Sequence, residues 1–311
     1  MQVTVIIPTF KRIEYLQRAI ASVREQTYQD FSCLIVNDYP PDSTLLAEAI
    51  AYLGDPRFQL INHETSLGGN AARNTGILAG TGEIIAFLDD DDYWLPDKLQ
   101  KHLTSHQQNP QAGLVFSGVI KQWNNDVLPA KTFKGRLPEG DVRKAMSQGK
   151  FCPRTTSGVT VRRECFELCG LFDSNLISFQ DWDMWYRIAH HYDFACIDEA
   201  LLIFRQHLGD RTSQSRERRL QGLNQLISKW QTDLDNVEEF QTIFLKDTYV
   251  SSVYHSILRS QTKIALQDWY TLLKLSRQPS DILILVKLIF MLLVKAKNYS
   301  LISRFSTFPA P

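Results

Sequence analysis

The chain carries no excess of charge of either sign: 34 basic and 34 acidic side chains over 311 residues leave a formal net charge of zero. Bulk electrostatics therefore offer no attraction to nucleic acid, and no nucleic-acid partner is expected. Cysteine is scarce. Five are scattered without a Cys-x-x-Cys pair, an odd number that argues against a disulfide framework. Cys165 and Cys169 are too isolated for a zinc site, so all five are expected as packing thiols. The N-terminus lacks a basic n-region followed by a cleavage site, which leads to the expectation of a cytoplasmic protein. Two common nucleotide-binding signatures are also missing: there is no GxxxxGK[ST] loop, and no GxGxxG follows the first apolar run.

What is present is ordinary for a folded soluble chain, at 44% hydrophobic and 22% charged residues. "VTVIIP" from Val3 to Pro8 is a short β-branched run suited to a strand buried on both faces. Ile13, Leu16, Ala19, Ile20 and Val23 follow at helical spacing. Strand-like runs recur at Phe31 to Val36, in "FQLINH" and in "EIIAFLDD". Between them lie "STLLAEAIAYLG", with Ser43 as N-cap and Gly54 as stop, and "GGNAARNTGILAG", a Gly-rich entry to a helix ending at Gly80. This alternation predicts an α/β fold with a mostly parallel sheet and right-handed crossovers. Further on, a helix is expected after Pro96, strands in "AGLVFSGVIKQW" and "TSGVTV", a helix start in "SFQDWDMWYRIAHHY", and one or two strands in "FACIDEALLIFRQH". From about Arg216 the pattern is almost purely helical. The segment from Asp281 to Lys297 is apolar nearly all round but broken by Lys287. It is shorter than the roughly 20 apolar residues a span needs, which leaves packing on the domain, dimerisation, or contact with a membrane surface through Lys295 and Lys297.

"IIAFLDDDDYW" stands out. Neighbouring carboxylates near 4 Å apart repel by about 1 kcal/mol in water and about 4 kcal/mol at an effective dielectric of 20. Read as strand residues, Asp89 and Asp91 project to one face and form a hard-oxygen site for Mg²⁺ or Mn²⁺, with phosphates completing the shell. Asp92 is the candidate cap for the helix near Pro96. Polar residues also end the first and second strands, at Thr9 to Arg12 and at Asn37-Asp38. In α/β sheets, ligands bind beyond the carboxyl ends of the strands, so these three groups should meet along one edge.

"VTVIIPTFKRIEYLQRAIASVREQTYQDFSCLIVND" and "NHETSLGGNAARNTGILAGTGEIIAFLDDDDYWLPDKL" together resemble the nucleotide-binding module of family 2 glycosyltransferases. The likeness continues more loosely through "TSGVTVRRECFELCGLFDSNL" and "FQDWDMWYRIA" to "FRQH". The resemblance implies a GT-A (Rossmann-like) fold over residues 1–210, with a nucleotide-sugar half at 1–100, an acceptor half at 101–210, and a helical extension at 211–311. It implies an inverting, metal-dependent transfer from a nucleotide-diphosphate sugar, usually a UDP-sugar, to a hydroxyl of a carbohydrate or lipid-linked acceptor. Surface polysaccharide or lipopolysaccharide assembly, at or near the inner membrane face, is the expected setting. On this likeness Thr9 and Arg12 lie at the nucleotide, and Asp38 bonds the base. Arg73 sits near base or diphosphate. Asp89, Asp90 and Asp91 form the DxD run, with Asp89 at the ribose and Asp91 on the metal. Asp181 is the catalytic base, and His207 lies near the diphosphate or metal. Trp182 and Trp185 could desolvate Asp181 or simply be core, with core favoured for Trp185.

The chain departs from the pattern in "NDYPPDS", where Asn37 replaces an acid and two prolines stiffen the turn, at Lys11, and at Gln180 before Asp181. A nucleotidyltransferase is a rival, but "PTFKRIEYL" has no glycine after the first strand. A non-catalytic nucleotide-sugar-binding scaffold is another, and the retained Asp89, Asp91 and Asp181 argue against it.

Overall fold

A computed structural model describes residues 1–123, 126–127, 137–206, 215–276, 286 and 288. In chain order the elements are β1 (Val3–Thr9), α1 (Ile13–Arg24), β2 (Phe31–Asn37), α2 (Ser43–Leu53), β3 (Phe58–Asn62), α3 (Gly69–Ala79) and β4 (Ile84–Phe87). There follow β5 (Tyr93–Trp94), α4 (Lys98–Gln108), β6 (Ala112–Trp123), β7 (Asp126–Val127), α5 (Arg143–Ser147), β8 (Val159–Arg162), α6 (Arg163–Cys169), α7 (Gln180–Ala189) and β9 (Asp193–Gln206). Three helices close the series: α8 (Arg216–Trp230), α9 (Val237–Leu258) and α10 (Thr262–Leu275).

The sheet runs β3-β2-β1-β4-β8-β6-β9-β5, with β7 paired to β6. Its first four strands are parallel, β8 is antiparallel to β4 and β6, and β6 and β9 are parallel. It is thus the mixed, helix-flanked sheet expected. The run from Asp193 to Gln206 forms one strand, with register shifts against β6.

Alternation along β1 explains the two layers. Val3, Val5 and Ile7 face a core built with Leu16 and Ala19 of α1, Leu46 of α2 and Leu99 of α4. Ile6 faces the opposite core, shared with Ala72 of α3, Phe166 of α6, and Trp182 and Trp185 of α7. Leu223 and Leu226 of α8 and Phe240 of α9 belong to that same core. Helix α3 sits close on β1 because Gly76 has no side chain; an added Cβ would stand 2.5 Å from Ile6 Cγ2. Val253, Tyr254 and Leu258 of α9 form a separate small core with Leu272 of α10 and Leu288. All five cysteines are free thiols. Among the described residues, no helix is long and apolar enough to cross a membrane.

Two local readings are corrected. Helix α2 starts at Ser43, and its N-cap is Asp42, without a side-chain capping bond. Helix α4 is preceded by Asp97, not by Asp92, whose carboxylate is engaged elsewhere.

Candidate active site

The parallel register places Thr9, Asn37 and Asn62 side by side at the carboxyl ends of β1, β2 and β3. Asn37 donates to Asn62 Oδ1 at 2.9 Å and accepts from the Tyr39 amide at 3.0 Å. The amide that replaces an acid here therefore ties two strand ends together.

Asp38, the next residue, is buried and fully occupied. Its carboxylate accepts from His63 Nδ1 (2.8 Å), Ser66 Oγ (2.9 Å), and the amides of Leu67 (2.7 Å) and Gly68 (2.9 Å). His63 donates through Nδ1, and its Nε2 lies 2.9 Å from the Thr75 hydroxyl. Burial pulls the Asp38 pKa upward, but the bonds from His63, Leu67, Ser66 and Gly68 outweigh it and hold the carboxyl below its ordinary value. Four donors fill the four lone-pair positions of a carboxylate, so Asp38 organises the 63–68 loop.

The aspartates do not form a continued strand. The ladder of β4 stops at Phe87, and the Asp92 amide bonds back to the Asp89 carbonyl at 3.0 Å, closing a turn. The strand-alternation argument for Asp89 and Asp91 is therefore replaced by a turn that sends these two acids to different arginines. Asp89, about a third exposed, accepts from Arg73 Nη2 at 2.6 Å. Asp91 accepts from Arg12 Nη1 at 2.9 Å. Asp90 turns inward, accepting from Thr9 Oγ1 (2.9 Å), the Phe10 amide (3.4 Å) and Arg12 Nη1 (3.3 Å). Burial and the neighbouring Asp91 charge push Asp90 up to about 7, against the pull of Arg12. Asp92 accepts from Ser157 Oγ (2.8 Å) and the Arg205 amide (3.2 Å), and Ser157 Oγ in turn accepts from the Asp89 amide (3.0 Å). Two arginines, one serine, one threonine and backbone amides offset the repulsion of the run.

Arg12 reaches the turn because Lys11 adopts a left-handed backbone (φ 58°), which bends the chain sharply after β1. The same bend leaves Phe10 exposed beside Tyr39, edge to face at 5.3 Å, with Lys11 Nζ 4.5 Å from the Tyr39 ring centroid. Phe10, Tyr39, His63 and Ser157 escaped the sequence reading. An exposed aromatic immediately after a strand end was the available signal for Phe10.

Asp181 occupies the first turn of α7, half-buried, and accepts from the Trp182 amide at 2.8 Å. Burial pushes its pKa above the ordinary carboxylate value; the Trp182 amide and the Arg73 charge pull against this, and the Asp89 charge adds to it. The charges of Arg73 and Asp89, themselves paired, both act on Asp181. Trp182 and Trp185 are both buried core residues. Asp183 is fully buried and structural, accepting from Arg187 (3.0 and 3.1 Å) and Trp230 Nε1 (2.9 Å), with Lys229 Nζ at 2.9 Å. His207 and nearly all of 281–297 lie outside the described residues.

Among the described residues, no three or more His, Cys, Asp or Glu side chains converge as a self-sufficient metal cage. Asp89 and Asp91 offer carboxylate oxygens, the donor type a hard divalent cation takes, and each is here paired with an arginine.

Comparison with known proteins identifies the family and the fold. The family described as "Glycosyl transferase family 2" matches residues 4–168. A glycosyltransferase of Methanocaldococcus jannaschii is 35% identical over 210 residues, covering 65% of this chain and 70% of its own. One from Nostoc is 33% identical over 174 residues, covering 54% and 52%. The amylovoran biosynthesis glycosyltransferase AmsB of Erwinia amylovora is 30% identical over 191 residues, covering 58% and 62%. The chain therefore spans between about half and 70% of the length of these curated relatives. Among solved structures, S. aureus TarS 1–349 in complex with UDP-GlcNAc superposes with a TM-score of 0.59 at 15% identity, over 97% of this chain and 92% of that one. The mannosyltransferase PcManGT of Pyrobaculum calidifontis, in complex with GDP-Man and Mn²⁺, gives 0.58 at 20% identity, over 98% and 83%. With a family match over more than half its length and a GT-A architecture, the chain belongs to the family 2 glycosyltransferases.

Proposed function

We propose that the protein is an inverting, metal-assisted glycosyltransferase that moves a sugar from a nucleotide diphosphate, UDP foremost, to a hydroxyl of a carbohydrate or lipid-linked acceptor. The observation that carries this reading is the convergence at one sheet edge of Asp89 and Asp91 with Arg12 and Arg73, and of one further acid, Asp181, within electrostatic reach of Arg73. Phe10, exposed beside Tyr39, supplies a face for the base, and Asp38 shapes the 63–68 loop. Thr9 and Asp90 hold the first loop, while Arg12 and Arg73 meet the diphosphate.

The reaction needs one base and one displacement. The acceptor oxygen attacks the anomeric carbon from the face opposite the diphosphate, and its proton passes to a carboxylate oxygen of Asp181. The bond from the anomeric carbon to the phosphate oxygen breaks, its electron pair leaves with the nucleoside diphosphate, and the configuration inverts. Hydrolytic glycosidases instead set two carboxylates across the bond. A pKa raised by burial makes Asp181 a stronger base than an exposed carboxylate. A divalent cation, Mn²⁺ or Mg²⁺, held by Asp91 with Asp89, would supply positive charge to the leaving diphosphate. Both structural neighbours are complexed with nucleotide sugars, and PcManGT with Mn²⁺ as well, which supports this assignment. The amylovoran name of one relative supports a place in surface polysaccharide assembly.

Purified protein incubated with a panel of UDP- and GDP-sugars and Mn²⁺ should release free nucleoside diphosphate from one of them. EDTA, Asp91→Ala and Asp181→Asn should each suppress this release. Calorimetry should show UDP or GDP binding strengthened by Mn²⁺, an effect lost in Asp91→Ala. Absence of any metal-strengthened nucleotide binding would overturn the reading in favour of a scaffold.

A further inference from the structure

The segment that delivers Asp181 is held in an unusual backbone state by a helix outside the nucleotide half. Phe179, immediately before α7, lies in the left-handed region (φ 61°, ψ 24°), which an L-aromatic residue avoids unless its surroundings impose it. Its carbonyl accepts the first bond of α7, from the Asp183 amide at 3.1 Å. The direction of that first turn, and with it the position of Asp181, follows from the Phe179 backbone.

Helix α8 runs alongside this segment and touches it at successive points. Lys229 Nζ bonds Asp173 Oδ2 at 2.8 Å. Gln225 donates to the Asn175 carbonyl at 3.0 Å and accepts from the Ile177 amide at 3.1 Å. Gly222 lies against Ser178; an added Cβ would stand 2.7 Å from Ser178 Cβ and 2.9 Å from its backbone nitrogen. The Arg219 guanidinium stands 4.8 Å from the Phe179 ring centroid and is itself held by Asp247 and Thr248 of α9. Phe244 of α9 closes on the same ring, edge to face at 5.1 Å. Arg219, Gly222 and Gln225 recur every three residues, so they share one side of α8, and they meet Phe179, Ser178 and Asn175–Ile177 in antiparallel order.

We propose that α8 is a splint for the catalytic loop, with Arg219, Gly222 and Gln225 as positioning residues that hold Asp181 in register with the donor site. The proposal rests on the reading of Asp181 as the base. It makes the helical region a working part of the active site, reached through backbone geometry and not through contact with the reacting atoms.

Arg219→Ala, Gln225→Ala, Gly222→Ala and Arg219→Lys would be compared with wild type and Asp181→Asn in the full chain. Turnover of the sugar nucleotide identified by the panel, UDP calorimetry with Mn²⁺, and amide exchange at residues 180–183 would be read together. A displacement near 1 Å costs about 100-fold in rate, so the three disruptive variants should lose roughly 10- to 100-fold in kcat. Their donor KM and UDP affinity should stay within about twofold, since the base acts only in the chemical step. The acid limb of their pH–rate profile should move down toward the ordinary carboxylate range as Asp181 becomes more exposed, and exchange at 180–183 should accelerate about 10-fold or more. Arg219→Lys keeps a cation over the ring and should recover part of kcat. Wild-type kcat and wild-type exchange in all three, alongside an inactive Asp181→Asn, would overturn the splint while leaving the base in place. Loss of UDP binding in step with kcat would also overturn it, by showing general unfolding. An Asp181→Asn variant as active as wild type would overturn the base assignment instead.

Discussion

Acid should unfold this protein partly through two histidines remote from the candidate site. Lys98, His102 and His106 recur every four residues along α4, and all three are fully buried. His102 Nδ1 and His106 Nε2 each lie 3.0 Å from the same hydroxyl, Thr160 Oγ1 of β8. One hydroxyl can donate to one ring and accept from the other, which requires that the accepting ring nitrogen carry no proton. Lys98 Nζ lies over Trp94, 4.0 Å from its ring centroid, and Arg162 bonds the His106 carbonyl. Burial, then the Arg162 charge, pushes His106 down to about 3; burial and Lys98 push His102 well below its ordinary value. A folded pKa below the unfolded value of about 6.5 means that the unfolded chain binds protons more readily. The stability from His106 is therefore complete above about pH 6.5 and is lost as pH falls toward 3. Between pH 6.5 and 4.5 the loss integrates to about 2 kcal/mol for this one group. Asp90, pushed up to about 7, acts in the opposite sense over the same window, so the wild-type slope alone is not diagnostic. His106→Gln keeps a polar group near Thr160 and removes the titration. Urea unfolding at both pH values should show wild type losing about 2 kcal/mol more than His106→Gln. Equal losses would refute the argument.

Other perturbations have equally definite signs. Asp183→Ala leaves Lys229, Arg187 and Trp230 without their shared buried partner and should cost about 3–5 kcal/mol in urea unfolding. Lys98 is pushed well below its ordinary pKa by burial, so Lys98→Met should change stability by less than about 1 kcal/mol, or raise the melting temperature. Gly76→Ala drives a Cβ into Ile6 and should cost about 1–3 kcal/mol. The raised pKa of Asp181 places the acid limb of kcat/KM above the ordinary carboxylate value near 3.9, with activity falling as pH drops through it; a pH–rate profile on the active sugar nucleotide checks this.

Much of the scaffold was legible because burial imposes a period. The runs of β1, β2 and β4 are apolar on consecutive residues, since both faces of a central parallel strand are covered, and the intervening helices repeat at 3.6. The polar residues ending three of these strands were legible as one edge, because a core has no use for them. What the sequence could not convey was which partner answers each charge. Asp89 and Asp91 looked alike in a strand, yet a turn sends one to Arg73 and the other to Arg12, from 16 and 79 positions away. Asp38 was visible as an acid at a strand end, while the four donors that fill it come from a loop 25 to 30 residues later. Helix α8 was the least legible of all. The sequence marks the region from about Arg216 only as helical, where a glycine such as Gly222 weakens a helix. Once the 175–179 segment lies against that helix, the glycine becomes the point where only a bare Cα allows the two backbones to meet. The same contact links the helical tail to the segment that carries Asp181, the proposed base, and no local pattern in the tail encodes it.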